Sequence, residues 1–314
     1  MAKRKTVSFL LKLLFSAAVL ALFFVLTKTS LRDIGLKLRG ISLGWLALAF
    51  SLQAPGTLFS SHRWRILARA QGDVPSLSFF VKSHLVAAFF NNFLPTRFGG
   101  DVMRIWDSSK HSKSLVRSSA VVLVDRVTGL IVLFLFALVA ALFRLDMARQ
   151  VPVIWATLAL GLLGLAGVAF FFFPVFGRWL QRLPERGFLA RFKQKAIDFR
   201  MTIIAYKNKP REFAAATVWA LLLQLNVIIY YYLIGRALHL TIPLIDYFIF
   251  IPLVLLIQTI PITINGLGLR EGAYIGIFRF YGIPAEAALS FSIVEIAFGL
   301  IIGLIGGAIY VSRK

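Results

Sequence analysis

Two hydrophobic segments of this chain are broken by proline, glycine and charge, which an uninterrupted membrane helix would not contain. The first break reads NNFLPTRFGGD at 91–101, and the second reads PITINGLGLRE at 261–271. Backbone that leaves a helix inside a bilayer needs protein or a water-filled cavity to satisfy its N–H and C=O groups. Paired interruptions, one in each half of a chain, indicate the binding region of a transporter-like protein.

The other hydrophobic segments predict an all-α polytopic membrane protein. Of the 314 residues, 59% are hydrophobic, and the mean hydropathy is +0.82, which is unusual for a soluble domain. A run of about 20 apolar residues is long enough to span a bilayer. Six full transmembrane helices are predicted near 8–27, 42–61, 118–143, 152–173, 212–235 and 285–311.

The two broken segments, 77–94 and 243–260, either cross the membrane or enter it and turn back, and we favour re-entrant helical hairpins. Most of the 35 Lys and Arg residues lie in gaps that are cytoplasmic when both termini are cytoplasmic, as the positive-inside rule requires. In that orientation hairpin 77–109 enters from the cytoplasmic face and hairpin 243–282 from the opposite face. Because the basic residues follow the loops, nucleic acid is not an expected partner.

The longest polar gap, 174–211, contains an apolar stripe at helical spacing, with basic residues around the rest of the helix. The stripe consists of Leu189, Phe192, Ala196, Phe199 and Ile203. This pattern predicts a basic amphipathic connector on the cytoplasmic side. It is either a helix that lies on the inner leaflet or an ordinary charged loop. We interpret residues 1–314 as one transmembrane domain.

Ionisable residues within the hydrophobic segments are candidates for function, because burying such a charge in a membrane costs at least about 2.5–3.5 kcal/mol. The main ones are Asp125, Arg126, Glu271 and Glu295. Asp125 and Arg126 point about 100° apart on a helix, so we expect them to pair with other helices. The expected partners of Arg126 are Asp101, Glu271 and Glu295. These residues either gate a polar cavity or form structural ion pairs, and the sequence leaves both interpretations open.

Each break also places glycines before a helix that carries arginine. We expect Asp101 to be the N-cap of the helix after the first break, and Thr263 or Asn265 to cap the helix after the second. A helix N-terminus beside arginine suits a phosphate group. The candidate phosphate-binding residues are Arg97, Gly99, Gly100, Asp101, Arg104, Asn265, Gly266, Gly268 and Arg270. The alternative is that the glycines allow close helix packing and the arginines face lipid headgroups.

The sequence contains no recognisable catalytic or metal-binding motif. It has no cysteine, and its four histidines are scattered. Nucleotide-binding loops, nucleophile elbows and paired-histidine zinc motifs are also missing from the sequence. We therefore expect no enzymatic activity, no cofactor and no metal site.

Three motifs together resemble a known family: NNFLPTRFGGDVMR at 91–104, VDRVTGL at 124–130 and PITINGLGLREGA at 261–273. In this order they resemble the lysylphosphatidylglycerol synthase transmembrane family, also called the flippase-like domain family. The resemblance implies a multi-pass protein of the prokaryotic cytoplasmic membrane that moves a phosphate-bearing lipid between leaflets. That lipid is a phospholipid such as aminoacylated phosphatidylglycerol, or a polyprenyl-phosphate-linked lipid. Since the chain ends at Lys314, directly after its last span, we expect translocation without the family's soluble aminoacyltransferase activity.

Two other classes of function stay open. One is an integral-membrane lipid-modifying enzyme that uses His84 or Asp101 as a base. The other is a lipid-binding partner of an envelope-synthesis complex that transports nothing. A homo-oligomer is compatible with either class and with a flippase.

Overall fold

The computed structural model of the protein describes residues 29–72, 74–93, 99–145, 204–258 and 266–313, with isolated positions at 27, 155–156, 159–164, 166, 197, 200–201 and 263. All regular secondary structure in these residues is helical, as predicted. The helices are α1 (Leu31–Arg39), α2 (Leu43–Ser51), α3 (Gln53–Ala70), α4 (Leu77–Phe93), α5 (Gly99–Ser112), α6 (Leu115–Leu142), α7 (Pro210–Ala237), α8 (Leu244–Ile257), α9 (Leu269–Arg279) and α10 (Ala285–Ser312), with a short 3₁₀ helix at Ala205–Asn208.

Three helices are long and apolar enough to cross a membrane: α6, α7 and α10. They coincide with the third, fifth and sixth predicted spans. Each begins at a local signal in the sequence. Ser114 caps α6 by accepting a hydrogen bond from the Arg117 backbone N–H. Pro210 is the first residue of α7, and Pro284 directly precedes α10, positions where the missing N–H of proline costs little.

The second predicted span, 42–61, lies in a bent segment. α2 and α3 together run from Leu43 to Ala70, and α1 precedes them at an angle of 87°. α1 starts at a capping box, in which Ser30 Oγ accepts from the Asp33 N–H and the Asp33 carboxylate accepts from the Ser30 N–H. Counting this bent segment as one span raises the number of membrane-length elements among the described residues from three to four.

The rest of the predicted topology lies outside the described residues. This applies to the spans near 8–27 and 152–173 and to most of the connector at 174–211. The six-span arrangement and the cytoplasmic position of both termini therefore stay predictions.

The first break separates two helices that pack against each other, as expected for a hairpin. α4 ends at Phe93, and α5 begins at Gly99 and continues to Ser112, slightly beyond the predicted end at 109. α4 also packs on the C-terminal half of α10, from Gly299 to Tyr310. The hairpin is therefore held against one of the membrane-length helices.

Glycines on α10 allow α4 to approach closely. A Cβ added at Gly306 would overlap the carbonyl group of Leu85, and one added at Gly303 would overlap the Asn92 side chain. Asn92 Nδ2 also donates to the Gly299 carbonyl at 2.6 Å. Small residues and interhelical hydrogen bonds of this kind stabilise helix contacts within membranes, where apolar burial contributes little.

The second break also separates two helices in mutual contact, α8 and α9. Buried aromatic rings pack these helices against α10: Phe278 of α9 contacts Phe250 at 5.8 Å and Phe291 at 5.4 Å between ring centroids. Tyr274 packs edge-to-face on Phe291 at 4.9 Å. Aromatic pairs in such geometry contribute about 0.5–1.5 kcal/mol beyond burial alone. α10 thus contacts both hairpins, while their opposed insertion into the membrane stays a prediction.

α7 approaches α8 closely at a glycine. A Cβ added at Gly235 would overlap the hydroxyl oxygen of Tyr247, whose side chain is almost fully buried. The absence of a side chain at this position therefore makes room for the tyrosine ring between the two helices.

Candidate functional site

A buried carboxylate joins three helices on one side of the bundle. Asp125 of α6 accepts a hydrogen bond from Arg63 Nε of α3 at 2.6 Å and another from Arg104 Nη2 of α5 at 2.7 Å. Asp125 is only 1% exposed, and both arginines are buried. Hydrogen bonds between charged groups are the strong ones, and both carboxylate oxygens of Asp125 are used in this way. The carboxylate therefore fixes the relative positions of α3, α5 and α6.

A second ion pair lies at the edge of this group. Arg126 contacts the Asp101 carboxylate, and Arg104 Nη1 lies 3.7 Å from Asp101 Oδ1. Asp125 and Arg126, although adjacent, thus pair with other helices, and Asp101 is one of the three partners predicted for Arg126. The Arg126 side chain is 32% exposed and is the most accessible member. We call Arg63, Arg104, Arg126, Asp101 and Asp125 the basic cluster.

The basic cluster has more positive charge than it neutralises internally. Its five members are three guanidinium groups and two carboxylates, whose charges sum to +1. Arg104 also lies over the Trp64 ring, 4.2 Å from its centroid, a contact that stabilises a desolvated cation. Arg63 Nη1 and Arg104 Nε are buried and have no hydrogen-bond partner among the described residues. The cluster therefore has both charge and N–H donors available for an anion.

The glycines of the first break serve helix packing. The Gly100 N–H donates to Asn91 Oδ1 at 2.7 Å, and a Cβ at Gly100 would lie 2.5 Å from the Ala87 carbonyl oxygen. The described helix already includes Gly99, so Asp101 is in its first turn, and the prediction that Asp101 is the N-cap is wrong. Asn91 of the preceding helix accepts the hydrogen bond from the Gly100 N–H, so this N–H group needs no capping side chain from α5 itself. Arg97 lies outside the described residues.

A second buried cluster surrounds Glu295 on α10. Glu295 Oε2 accepts from Tyr274 Oη at 2.8 Å, and Glu295 Oε1 accepts from Tyr231 Oη at 3.0 Å and from Gln258 Nε2 at 3.4 Å. Arg270 Nη1 is 3.7 Å from the same Oε1 atom. Helices α7, α9 and α10 and the end of α8 therefore converge on one carboxylate.

Glu271 neutralises Arg270 in this second cluster. Arg270 Nη2 and Nε donate to Glu271 Oε1 at 2.7 and 3.0 Å, and Ser292 Oγ donates to the same oxygen. Arg270, Glu271 and Glu295 are all at most 8% exposed. Two carboxylates against one guanidinium leave one surplus negative charge. We call Arg270, Glu271, Glu295 and Gln258 the acidic centre.

The second break enters α9 through glycines with positive φ. Gly266 has φ 78° and Gly268 has φ 86°, backbone conformations that other residues rarely adopt. Gly268 is the N-cap of α9, so the prediction of Thr263 or Asn265 at that position is wrong. The Glu271 carboxylate accepts a hydrogen bond from the Gly268 N–H at 2.6 Å and thereby caps the N-terminus of α9. Asn265 lies outside the described residues.

Sequence reasoning missed several contributors to both clusters. Arg63 lies beyond the predicted span at 42–61, whereas α3 continues to Ala70. The helical spacing of Ser60, Arg63 and Leu67, all buried, was a signal that the helix extends further. Tyr231 and Tyr274 carried no comparable signal, since tyrosine is common in membrane helices. Among the described residues no group of three or more His, Cys, Asp or Glu residues is placed to hold a metal ion.

Comparison with known proteins identifies relatives along nearly the whole chain. A family model described as the lysylphosphatidylglycerol synthase TM region matches residues 9–307. The chain is also 25% identical over 315 aligned positions to a UPF0104 membrane protein of Methanothermobacter thermautotrophicus. That alignment covers 90% of this chain and 86% of the archaeal protein. The described parts of both clusters lie inside the region matched by the family model.

Proposed function

Because the chain belongs to the lysylphosphatidylglycerol synthase transmembrane family, we propose that it moves a phosphate-bearing lipid between the two leaflets of a prokaryotic cytoplasmic membrane. The cargo is a phospholipid such as aminoacylated phosphatidylglycerol or a polyprenyl-phosphate-linked lipid. All of these lipids share a phosphate group whose negative charge has to cross an apolar layer. A positively charged site among the helices would lower the cost of moving that negative charge.

The observation that carries this proposal is a pair of buried arginine donors in the basic cluster. Arg63 Nη1 and Arg104 Nε are buried N–H donors without a partner among the described residues. A buried donor that lacks a partner is costly, and a phosphate oxygen would satisfy it. Arginine is also well suited to phosphate because its planar guanidinium group can donate two hydrogen bonds at once.

Arg126 is the member that a headgroup would meet first. Its side chain is 32% exposed, whereas those of Arg63 and Arg104 are 6% and 8% exposed. A phosphate that approaches Arg126 competes with the Asp101 carboxylate for the same guanidinium group. Asp101 would then release Arg126 to the phosphate and remain beside Arg104. In this mechanism Asp101 offsets the charge of Arg126 while the site is empty.

The remaining candidate residues have supporting roles in this proposal. Gly100 brings α5 close to α4 and so positions Asp101 and Arg104, and Gly99 is buried beside it at the start of α5. Arg97, two residues before α5, is a further phosphate contact that we propose from its position in the sequence. The Arg270 guanidinium group already contacts Glu271 and Glu295, so we place the phosphate at the basic cluster and not at Arg270.

Lipid movement can be tested with purified protein in liposomes of phosphatidylglycerol that contain a trace of headgroup-labelled fluorescent lipid. Dithionite quenches only the outer-leaflet label, so the amount quenched reports transfer between leaflets. A charge-assisted hydrogen bond contributes about 1.5–3 kcal/mol, so Arg126→Gln should slow transfer by about tenfold or more. The control is Arg117→Gln, on the same helix but exposed and outside the basic cluster.

The result separates the candidate functions. Equal transfer rates for Arg126→Gln and Arg117→Gln would exclude the basic cluster as the phosphate site. Lipid binding without transfer would identify a lipid-binding partner, and chemically altered lipid on mass spectrometry would identify an enzyme. A flippase leaves the lipid unchanged and moves it.

A further inference from the structure

The acidic centre holds a negative charge that no described cation neutralises. Its only guanidinium group, Arg270, faces the two carboxylates Glu271 and Glu295, and all three residues are buried. A buried charge without a counter-charge is strongly unfavourable in an apolar environment. The centre should therefore take up a positively charged species from outside the protein.

Polar groups from the neighbouring helices surround Glu295. α7 contributes Tyr231, and α9 contributes Tyr274 and the Arg270–Glu271 pair. The hydroxyl groups of Tyr231 and Tyr274 each donate to one oxygen of the Glu295 carboxylate. The oxygen atoms of those hydroxyl groups keep lone pairs that can contact a cation.

Two buried oxygen atoms near the second break have no hydrogen-bond donor among the described residues. Gln258 Oε1 and Thr263 Oγ1 have no partner among the described residues, and each residue is only 2% exposed. Gln258 belongs directly to the acidic centre, since its Nε2 atom is 3.4 Å from Glu295 Oε1. A bound cation would satisfy oxygens of this kind. This observation is independent of the charge surplus and indicates the same type of ligand.

The backbone around the centre also favours a cation. Gln258 is the C-cap of α8, so the negative end of the dipole of that helix lies at the second break. Gly266 lies against the Gln258 side chain, which brings the two sides of the break together. In transporters with discontinuous helices, such helix ends coordinate the coupling ion.

We propose that Glu295 and Gln258 bind one monovalent cation, either a sodium ion or a proton, at the C-terminal end of α8. Thr263, in the break itself, is an additional candidate ligand because its buried Oγ1 atom has no partner among the described residues. The cation neutralises the surplus carboxylate of the acidic centre. Binding at this site does not depend on the lipid function proposed above, because the two clusters share no residue.

Thermal unfolding of the purified protein in detergent tests this site without any transport measurement. Unfolding midpoints are compared in sodium, potassium and choline chloride at equal ionic strength, and then in choline chloride between acidic and alkaline pH. A ligand that binds only the folded protein raises the midpoint, by about 2 °C or more when it is well above its Kd. We expect a rise in wild type with sodium or with acidification, and the condition that produces it identifies the cation.

Glu295→Gln should abolish this response because the glutamine has no charge to neutralise. Glu286→Gln, the same substitution in the first turn of the same helix, should keep it. Gln258→Leu leaves both carboxylates intact and should weaken the response. It serves as the test if Glu295→Gln does not fold. An unfolding midpoint of the wild type that is insensitive to both sodium and pH would overturn the proposal. An unchanged response in Glu295→Gln would do the same.

Discussion

Asp125→Asn removes the charge that binds two arginines in the basic cluster while keeping the shape of the side chain. Asp125 is 1% exposed and accepts from Arg63 at 2.6 Å and from Arg104 at 2.7 Å. The asparagine keeps one acceptor oxygen, so one of these two hydrogen bonds can persist. Both arginines are buried beside this carboxylate. The substitution should therefore act mainly through uncompensated buried positive charge.

The expected loss follows from the partners that remain. Removing one member of a buried ion pair costs about 3–5 kcal/mol. Arg104 keeps a weaker contact with Asp101 at 3.7 Å and its position over the Trp64 ring. Arg63 has no second carboxylate among its described contacts. Because Arg104 keeps its two contacts and the asparagine keeps one acceptor oxygen, we expect the lower end of the range, about 3 kcal/mol of unfolding free energy.

Unfolding in mixed micelles with increasing dodecyl sulfate, followed by circular dichroism, measures this loss. Asp33→Asn is the control, because Asp33 is exposed and its hydrogen bonds are local to the start of α1; its effect should stay within about 0.5–1 kcal/mol. Arg63→Gln in the Asp125→Asn background should recover part of the loss, since it removes one of the stranded charges. A coupling of roughly 1–3 kcal/mol between the two positions is expected for residues in direct contact.

Two results would refute this reasoning. A loss below about 1 kcal/mol in Asp125→Asn would mean that water reaches the basic cluster and screens its charges. Strictly additive effects of Asp125→Asn and Arg63→Gln would mean that the two residues do not interact. Either result would also remove the argument that the cluster holds an unsatisfied positive charge in a dry interior.

Three further predictions concern packing and capping. Gly306→Leu should separate α4 from α10 and cost about 1–3 kcal/mol or more, whereas Gly276→Leu, at a position with open space, should change the unfolding midpoint little; an equal effect would contradict the close contact. Gly235→Ala should destabilise the protein through overlap with the Tyr247 hydroxyl. Adding Tyr247→Phe to this variant should restore part of the lost stability, whereas Tyr247→Phe in the wild type should not stabilise the protein. Ser30→Ala should cost about 1 kcal/mol by opening the capping box, and hydrogen exchange should accelerate only in the first turn of α1.

Sequence patterns predicted the features of this protein that depend on neighbouring residues. Runs of apolar residues located α6, α7 and α10, and proline with glycine located both breaks. The Arg126–Asp101 pair was among the predicted contacts because few ionisable residues lie within the hydrophobic segments, so few partners were available. Scarcity of charge in a membrane chain thus makes ion pairs partly predictable.

Features that depend on packing between distant segments were not predictable. The partners of Glu295 come from α7 and α9, which lie 64 and 21 residues away in sequence. The N-cap predictions failed for a related reason. Asn91 of the preceding helix binds the Gly100 N–H, and Glu271 binds the Gly268 N–H from inside its own helix. Cap propensities alone do not reveal which of several polar side chains will reach a free N–H.

The basic cluster and the acidic centre carry surplus charges of opposite sign within one helical bundle. Both hairpins pack on α10, which carries Glu295 and also the glycines that contact α4. If neutralisation of Glu295 shifts α10, the contact between α10 and α4 would therefore also move the hairpin that carries Arg104. Linkage then requires that cation and lipid phosphate affect each other's affinity equally, and a coupling of about 1 kcal/mol corresponds to roughly fivefold.

This argument predicts that the wild-type protein binds phosphatidylglycerol about fivefold more tightly when the acidic centre is occupied. Native mass spectrometry or lipid titration in sodium against choline, and at acidic against alkaline pH, measures the effect. In Glu295→Gln the affinity for lipid should be high and independent of both conditions, because the glutamine mimics the neutralised carboxylate. Equal lipid affinity in all conditions for the wild type would show that the two clusters act independently, even if each binds its own ligand. A bound cation that weakened lipid binding would instead indicate that the two ligands stabilise different arrangements of α10, as expected for exchange of one ligand against the other.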